Sequence, residues 1–313
     1  MDCQTPRMLK PLPLRAVLPV VALVAGSATV VAAPATAGSA AVPSSHVKEC
    51  TDAGLANAAA MTQVSSASAA ESSGGLTSKA SAWVYSVAGS ADRCVVTRTV
   101  GAKVPRKARR SSDHSVGYLS RTDGRVVLDT GEVLPLNDAM SGLGGATGRS
   151  QVMAQVMAVT ETERISPEDA EFLPPALAGL AGHDATLELS TYRIDLYSQA
   201  WTTTRLAKPL SKAQVRKKRA AELRLAATRH EARVAGIKAA REAQLAIAAT
   251  ETGLAATWRT FLAEDAYTRD IGFARASLRA SKQLARQHAA EAGRGTDTRE
   301  AYLHQIALSV PLG

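Results

Sequence analysis

The sequence predicts an α+β protein: a small disulfide-tied head with a few antiparallel strands, followed by a long alanine-rich helical arm, either a hairpin or one extended helix. Three observations predict it. Short runs rich in β-branched and aromatic residues lie in the middle of the chain. Proline is absent from Ser211 to about Ala263, where helix formers are dense. Two cysteines past the N-terminal segment sit where a bridge can tie a strand to what precedes it. Aromatic residues make up only 4% of the 313, too few for one bulky core, which favours close-packed small-residue helices.

Residues 1–37 read as a cleavable secretory signal. Arg7, Lys10 and Arg15 precede an uncharged run from Ala16 to Ala33, and Ala35-Thr36-Ala37 supplies small residues for a peptidase. Pro19, Gly26, Ser27 and Thr29 make the same run a weak membrane anchor. Cleavage would place the protein outside the cytoplasm, secreted or associated with the cell envelope. It would also remove Cys3, leaving Cys50 and Cys94 to form a disulfide.

Residues 38–80, small and polar, are expected to be a flexible lead with one short helix around Leu55–Ser66. The head spans 81–205. Trp83–Val87 and Cys94–Val100 read as strands, and Val116–Ser120 with Arg125–Leu128 as a hairpin about Thr122-Asp123-Gly124. Ser141–Gly148 reads as a loop, Ser166-Pro167-Glu168-Asp169 as a helix start, and Thr186–Trp201 as a strand by its partial alternation.

The arm spans 211–292 and opens on a capping box, Ser211-Lys212-Ala213-Gln214. One line along it is free of charge: Ala221, Leu225, Thr228, Ala232, Gly236, Ala239, Ala243, Ile247, Thr250, Leu254, Trp258 and Phe261. Its 3-4-4 steps are an eleven-residue repeat, which keeps one side of a nearly straight helix in register with a partner. The expectation is a coiled-coil-like packing seam, covered by a second line on Tyr267–Ala292 (Ile271, Ala274, Leu278, Ser281, Ala285, Ala289, Ala292) if a turn falls near Glu264-Asp265, and otherwise by a second chain. A parallel line through Leu223, Val234, Ile237 and Leu245 is interrupted by Arg219, His230 and Arg241 and is expected to be half exposed. A short terminal helix is expected at 297–309.

Charge is segregated. Residues 111–200 carry thirteen acids against five Lys/Arg, whereas 205–241 carry twelve Lys/Arg against two acids. Arg106, Lys107, Arg109 and Arg110, with Arg216, Lys217, Lys218 and Arg219, are the candidate contacts to an anionic wall polymer or lipid headgroups. The competing expectation is that the acidic middle docks onto the basic helix. Nucleic acid is a poor match, because the basic stretches lack interleaved aromatics.

No nucleotide-binding, metal-binding or catalytic pattern stands out, and no cofactor is implied. The six histidines are scattered, and the glycine-rich stretch at 142–148 lacks the Gly-Lys-Ser/Thr ending of a phosphate loop. The expected role is that of a non-enzymatic structural or interaction protein, using its long helix for self-association or attachment to an anionic envelope component. A secreted hydrolase with carboxylates assembled in the 81–205 head is the alternative.

Overall fold

Strand periodicity governs far more of the chain than its alanine content suggests. The computed structural model describes residues 29–31, 41–73, 76–100, 110–144, 151–170 and 175–313. Within them, Ser65, Ala67 and Ala69 point inward at every second position of a strand, β2 (Met61–Ser73). The segment expected to hold a short helix in a flexible lead is therefore largely sheet. Small residues suit helix and strand alike; here their period of two lets another sheet approach closely. A helix does precede it, α1 (Ser44–Asp52).

Strand β2 pairs with β3 (Leu76–Val87), then β4 (Asp92–Val100) and β7 (Gln151–Ala158) in an antiparallel sheet. The expected strands at 83–87 and 94–100 lie within β3 and β4. The disulfide forms as expected: Cys50 of α1 and Cys94 of β4 are bonded, with Cα atoms 5.8 Å apart and both residues wholly buried. It pins α1 to the outer face of this sheet, where Leu55, Ala58, Met61, Tyr85 and Val96 complete a small core.

The second sheet is built on β9 (Asp184–Arg205), the strand expected at 186–201, with β10 (Thr296–Pro311) on one side and β5 (Arg110–Leu128) then β6 (Val133–Gly144) on the other. Strand β8 (Thr160–Arg164) continues the β10 edge along the first residues of β9. A short strand, β1 (Thr29–Val31), pairs in parallel with Ala307–Ser309; it falls inside the expected leader, whose remaining residues, cleavage position included, lie outside the described ones.

A turn, the terminal segment and a loop differ from expectation here. Strand β5 runs straight through Asp123-Gly124, and the hairpin turn comes at 129–132, where Gly131 has φ +84°. Gly124 serves another purpose. It sits at a register irregularity opposite β9, and a Cβ there would come within 2.3 Å of the Glu188 carbonyl oxygen, so only glycine lets the strands approach. The terminal segment expected to be helical is strand β10, because Ile306, Leu308, Val310 and Leu312 alternate into the core and outweigh the local helix preference of Ala301 and Gln305. Of the expected 141–148 loop, Ser141–Gly144 end β6 and the rest lies outside the described residues.

The two sheets pack face to face. Ala80, Ala82, Val84 and Val95 of one meet Tyr192, Ile194 and Leu196 of β9 and the alternating residues of β10. The expected head is thus no separate unit, since β2 and β10, from outside 81–205, supply much of its core.

The long helices form a third layer. Helix α3 (Lys212–Ala248) starts at the predicted capping box, with Ser211 and Gln214 satisfying each other's backbone N–H groups. Helix α4 (Gly253–Gly293) returns antiparallel. The short α2 (Pro167–Ala170) begins where the Ser166-Pro167 signal placed it. The turn between α3 and α4 falls at 249–252 and not near Glu264-Asp265. Thr250 and Thr252 are poor helix formers, the Thr250 hydroxyl donates to the Ile247 carbonyl, and Gly253 takes φ +64°. As a result, Leu254 and Trp258 lie on α4, packed with Phe261 against Leu128, Leu134, Leu177 and Leu180, and the Trp258 indole donates to the Pro135 carbonyl at 2.6 Å. No described helix is long and apolar enough to cross a membrane.

Candidate functional site

Strand β9 separates two environments. Its even residues Tyr192, Ile194, Leu196 and Ala200 enter the core between the sheets, whereas Arg193, Asp195, Tyr197, Gln199 and Trp201 turn to the helical side. Gln199 donates to Glu300 at 2.6 Å, and the Arg229 guanidinium of α3 grips the same carboxylate through both oxygens, at 2.9 and 2.6 Å. Burial pushes the Tyr197 hydroxyl up to about 12, with the Asp195 charge adding to it. Arg233 of α3 lies close to Tyr197 and Asp270; burial lowers its pKa while both neighbours oppose that.

The α3–α4 interface uses the opposite line from the one expected. Ala221, Leu225, Ala232, Gly236, Ala239, Ala243 and Ile247 are all exposed, and no atom lies within 4 Å of where a Gly236 Cβ would point. The line expected to be half exposed lies on the α4 side and is half-buried as expected: Leu223, Val234, Ile237 and Leu245, with His230 and Arg241 among them, whereas Arg219 is exposed. The reason is pairing. Arg241 forks onto Glu264, Arg229 onto Glu300, and Lys218 bonds Glu222 at 2.8 Å and Asp297 at 3.0 Å, so these charges are satisfied where they are half covered. The line foreseen on α4 is the buried one: Ile271, Ala274, Ala285, Ala289 and Ala292 are buried and Leu278 and Ser281 half-buried.

Of the candidate cationic contacts, Arg216, Lys217 and Arg219 are exposed on the first turns of α3. Lys218 is not available to a partner. Its side chain is 14% exposed and also donates to the Thr298 carbonyl at 2.7 Å. Arg106, Lys107 and Arg109 lie outside the described residues; Arg110 opens β5, its backbone paired with Thr204 at the same end of the molecule as the start of α3.

That end gathers cations which sequence reasoning did not single out. The Leu206 and Leu210 N–H groups donate to carbonyls of Gly295 and Ala292, which brings the 205–212 link against the end of α4. Arg205, Lys208, Lys212, Arg224, Lys282, Arg286 and Arg294 are exposed there beside Arg216, Lys217 and Arg219, and among the described residues none of them has an ion pair. Lys212, Arg216 and Lys217 occupy the first turns of α3, the positive end of its macrodipole, with no acid in the first turn. Antiparallel pairing of long elements was the missing signal: only the tertiary structure brings 205–224 and 282–294 together.

Among the described residues, no ion pair joins the acidic middle to this end. Its described ion pairs are internal to 111–200: Arg125 with Glu188, Arg164 with Asp184, His183 with Asp129, and Arg193 with Asp123. The first three pairs, with exposed Glu132, Glu161, Glu163 and Glu168, lie around the β5–β6 turn and β8, at the opposite end of β9, and the fourth lies midway along it. Helix α4 joins the two ends, a span of roughly 60 Å at about 1.5 Å per residue for its 41 residues.

Between the basic end of the hairpin and the sheet lies a cleft of about 510 Å³. Its apolar walls are Trp201, Leu210, Leu225 and Leu284, and Lys217 and Arg299 also line it. Lys218, Glu222, His288 and Asp297 form a connected network in it. Burial alone would raise the Glu222 carboxyl, but hydrogen bonds from His288 and Lys218 hold it below the ordinary range; Asp297 is held low in the same way by Lys218 and Arg299. The cleft takes only Gln199 and Trp201 from residues 81–205, and none of its acids. Among the described residues, no group of His, Cys, Asp and Glu is arranged to hold a metal ion.

No family model matches the chain. No curated protein sequence matches it significantly either. Among solved structures, Clostridium perfringens delta-toxin aligns at 8% identity over 46% of this chain and 80% of that one, with a TM-score of 0.15, a likeness too slight to carry an argument.

Proposed function

We propose that this is an exported, non-enzymatic interaction protein that attaches to an anionic polymer of the cell envelope through the basic end of its helical hairpin. The observation that carries the reading is the set of exposed cations around Lys212–Arg224 and Lys282–Arg294 without ion pairs among the described residues. Like charges gathered at the positive end of a helix repel one another, and an anionic partner relieves that cost. The buried disulfide accords with an oxidising compartment.

A poly(glycerol phosphate) titration of the purified protein across a salt series tests this. Binding is expected to weaken steeply from low to physiological salt, and to be lost when Arg216, Lys217 and Arg219 are all changed to Glu. Equal binding to neutral dextran, or binding indifferent to salt, would sink the reading.

The charge polarity also supports self-association, the acidic end of one copy meeting the basic end of the next in a head-to-tail contact, with the open Ala221–Ile247 line of α3 as a further contact. In sedimentation, assembly that dissolves with added salt is its signature. A monomer at every salt and concentration removes it.

A further inference from the structure

We infer that the cleft between the hairpin and β9 receives the acyl chain of a single-chain anionic amphiphile, whose head sits at the Lys217–Arg299 rim. The inference deepens the attachment reading, and rests on it only for the sign of the head group's charge.

The walls decide the tail. Trp201, Leu210, Leu225 and Leu284 converge on one concavity, and Leu225 remains 46% exposed. A volume of about 510 Å³ lies within the range of roughly 300–1,000 Å³ typical of small-ligand sites.

The polar groups in the cleft argue against a sugar or other hydrogen-bonding ligand. Lys218 already serves Glu222, Asp297 and the Thr298 carbonyl, and Glu300 holds Gln199 and both arms of Arg229. A polar ligand would have to displace these bonds and gain little, whereas an apolar one gains by covering the walls.

The rim decides the head. Lys217 is exposed with no ion pair among the described residues. Arg299 binds Asp297 through Nε at 2.7 Å while its side chain stays 79% exposed, leaving the outer edge of the guanidinium to face an anion.

Dodecyl phosphate, kept below its micelle concentration, is the probe, followed by calorimetry and by Trp201 emission. One molecule per chain is expected to bind with a blue shift that Trp201→Phe abolishes. Because Leu225 is half out in solvent, Leu225→Glu should leave the melting curve unchanged, yet weaken binding about tenfold or more by setting a charge in the apolar wall. Lys217→Glu should weaken it severalfold, and inorganic phosphate should not compete.

Unchanged affinity in Leu225→Glu, competition by inorganic phosphate, or binding only to phosphatidylglycerol vesicles and not to the monomer would each overturn the inference. Poly(glycerol phosphate) binding separates the two readings. If it survives in Leu225→Glu while dodecyl phosphate binds the parent no better than that variant, the cleft inference fails alone. If dodecyl phosphate binds as expected and the polymer does not, attachment fails and the cleft stands.

Discussion

The two faces of β9 are held by different physics. On one, Tyr192, Ile194 and Leu196 join a dry core between sheets, where small residues of β2 and β3 allow close approach. On the other, Gln199, Glu300, Arg229, Lys218 and Asp297 hold the hairpin through paired charges, and the largest apolar contact is confined to the far end, at Trp258 and Phe261. Burial of apolar area has no charge to titrate or screen, whereas ion pairs at half-exposed positions are each worth little and depend on both pH and salt. The hairpin is therefore the adjustable layer of the molecule, and the sandwich its fixed frame.

The largest effect that would break this contrast lies in the frame. Leu196→Ala should cost about 2–5 kcal/mol, since Leu196 is wholly buried between the sheets. A urea midpoint that barely moves would mean that the sheets are loosely packed and that the frame is no more rigid than the hairpin.

An intermediate effect separates the layers by pH. His46 and His304 are held neutral on the sheet side, their pKa values lowered first of all by burial. A base with a lowered folded pKa contributes fully above its unfolded value of about 6.5, and that contribution fades as the pH drops below it. Glu222 and Asp297 have lowered folded values too, but as acids they sustain the hairpin above the ordinary carboxylate range, and fail only as the pH falls through their depressed values. Trp83, its ring centre 4.8 Å from that of His46 and tilted to it, should thus change emission at a higher pH than Trp201 beside the cleft. Single-tryptophan variants read this directly; coincident titrations would show that the two layers respond as one.

The smallest effect sharpens the comparison on the open face of α3. Gly236→Ala should stabilise the monomer by up to about 1 kcal/mol, as alanine is the better helix former and space is free around it. Gly236→Leu should be tolerated. If a melting curve shows that leucine is destabilising, or sedimentation shows that it disperses an assembly, the small-residue line faces a second chain.

Legibility tracked how local each signal was. The Ser211 capping box, the Ser166-Pro167 helix start, the strands around Trp83 and Cys94 and the buried line of α4 from Ile271 to Ala292 all follow from residues within a few positions of one another. The line on α3 misled because absence of charge was equated with burial. Charged residues can occupy an interface when partners from α4 and β10 meet them, and those partners, Glu264, Asp297 and Glu300, are distant in sequence. The basic end was half visible, in Arg216, Lys217 and Arg219; its other half comes from the close of α4.

By itself, then, the chain determined that Cys50 and Cys94 would be joined, that helix would run through most of 212–293, and that acid and base would occupy different stretches. Only the tertiary structure decided which side of α3 is covered, that Met61–Ser73 and Thr296–Pro311 are strands, and that opposite charges lie at opposite ends. Each of those outcomes depends on a partner supplied from far along the chain, and a segment whose own preferences are evenly balanced takes the conformation that its partner makes favourable.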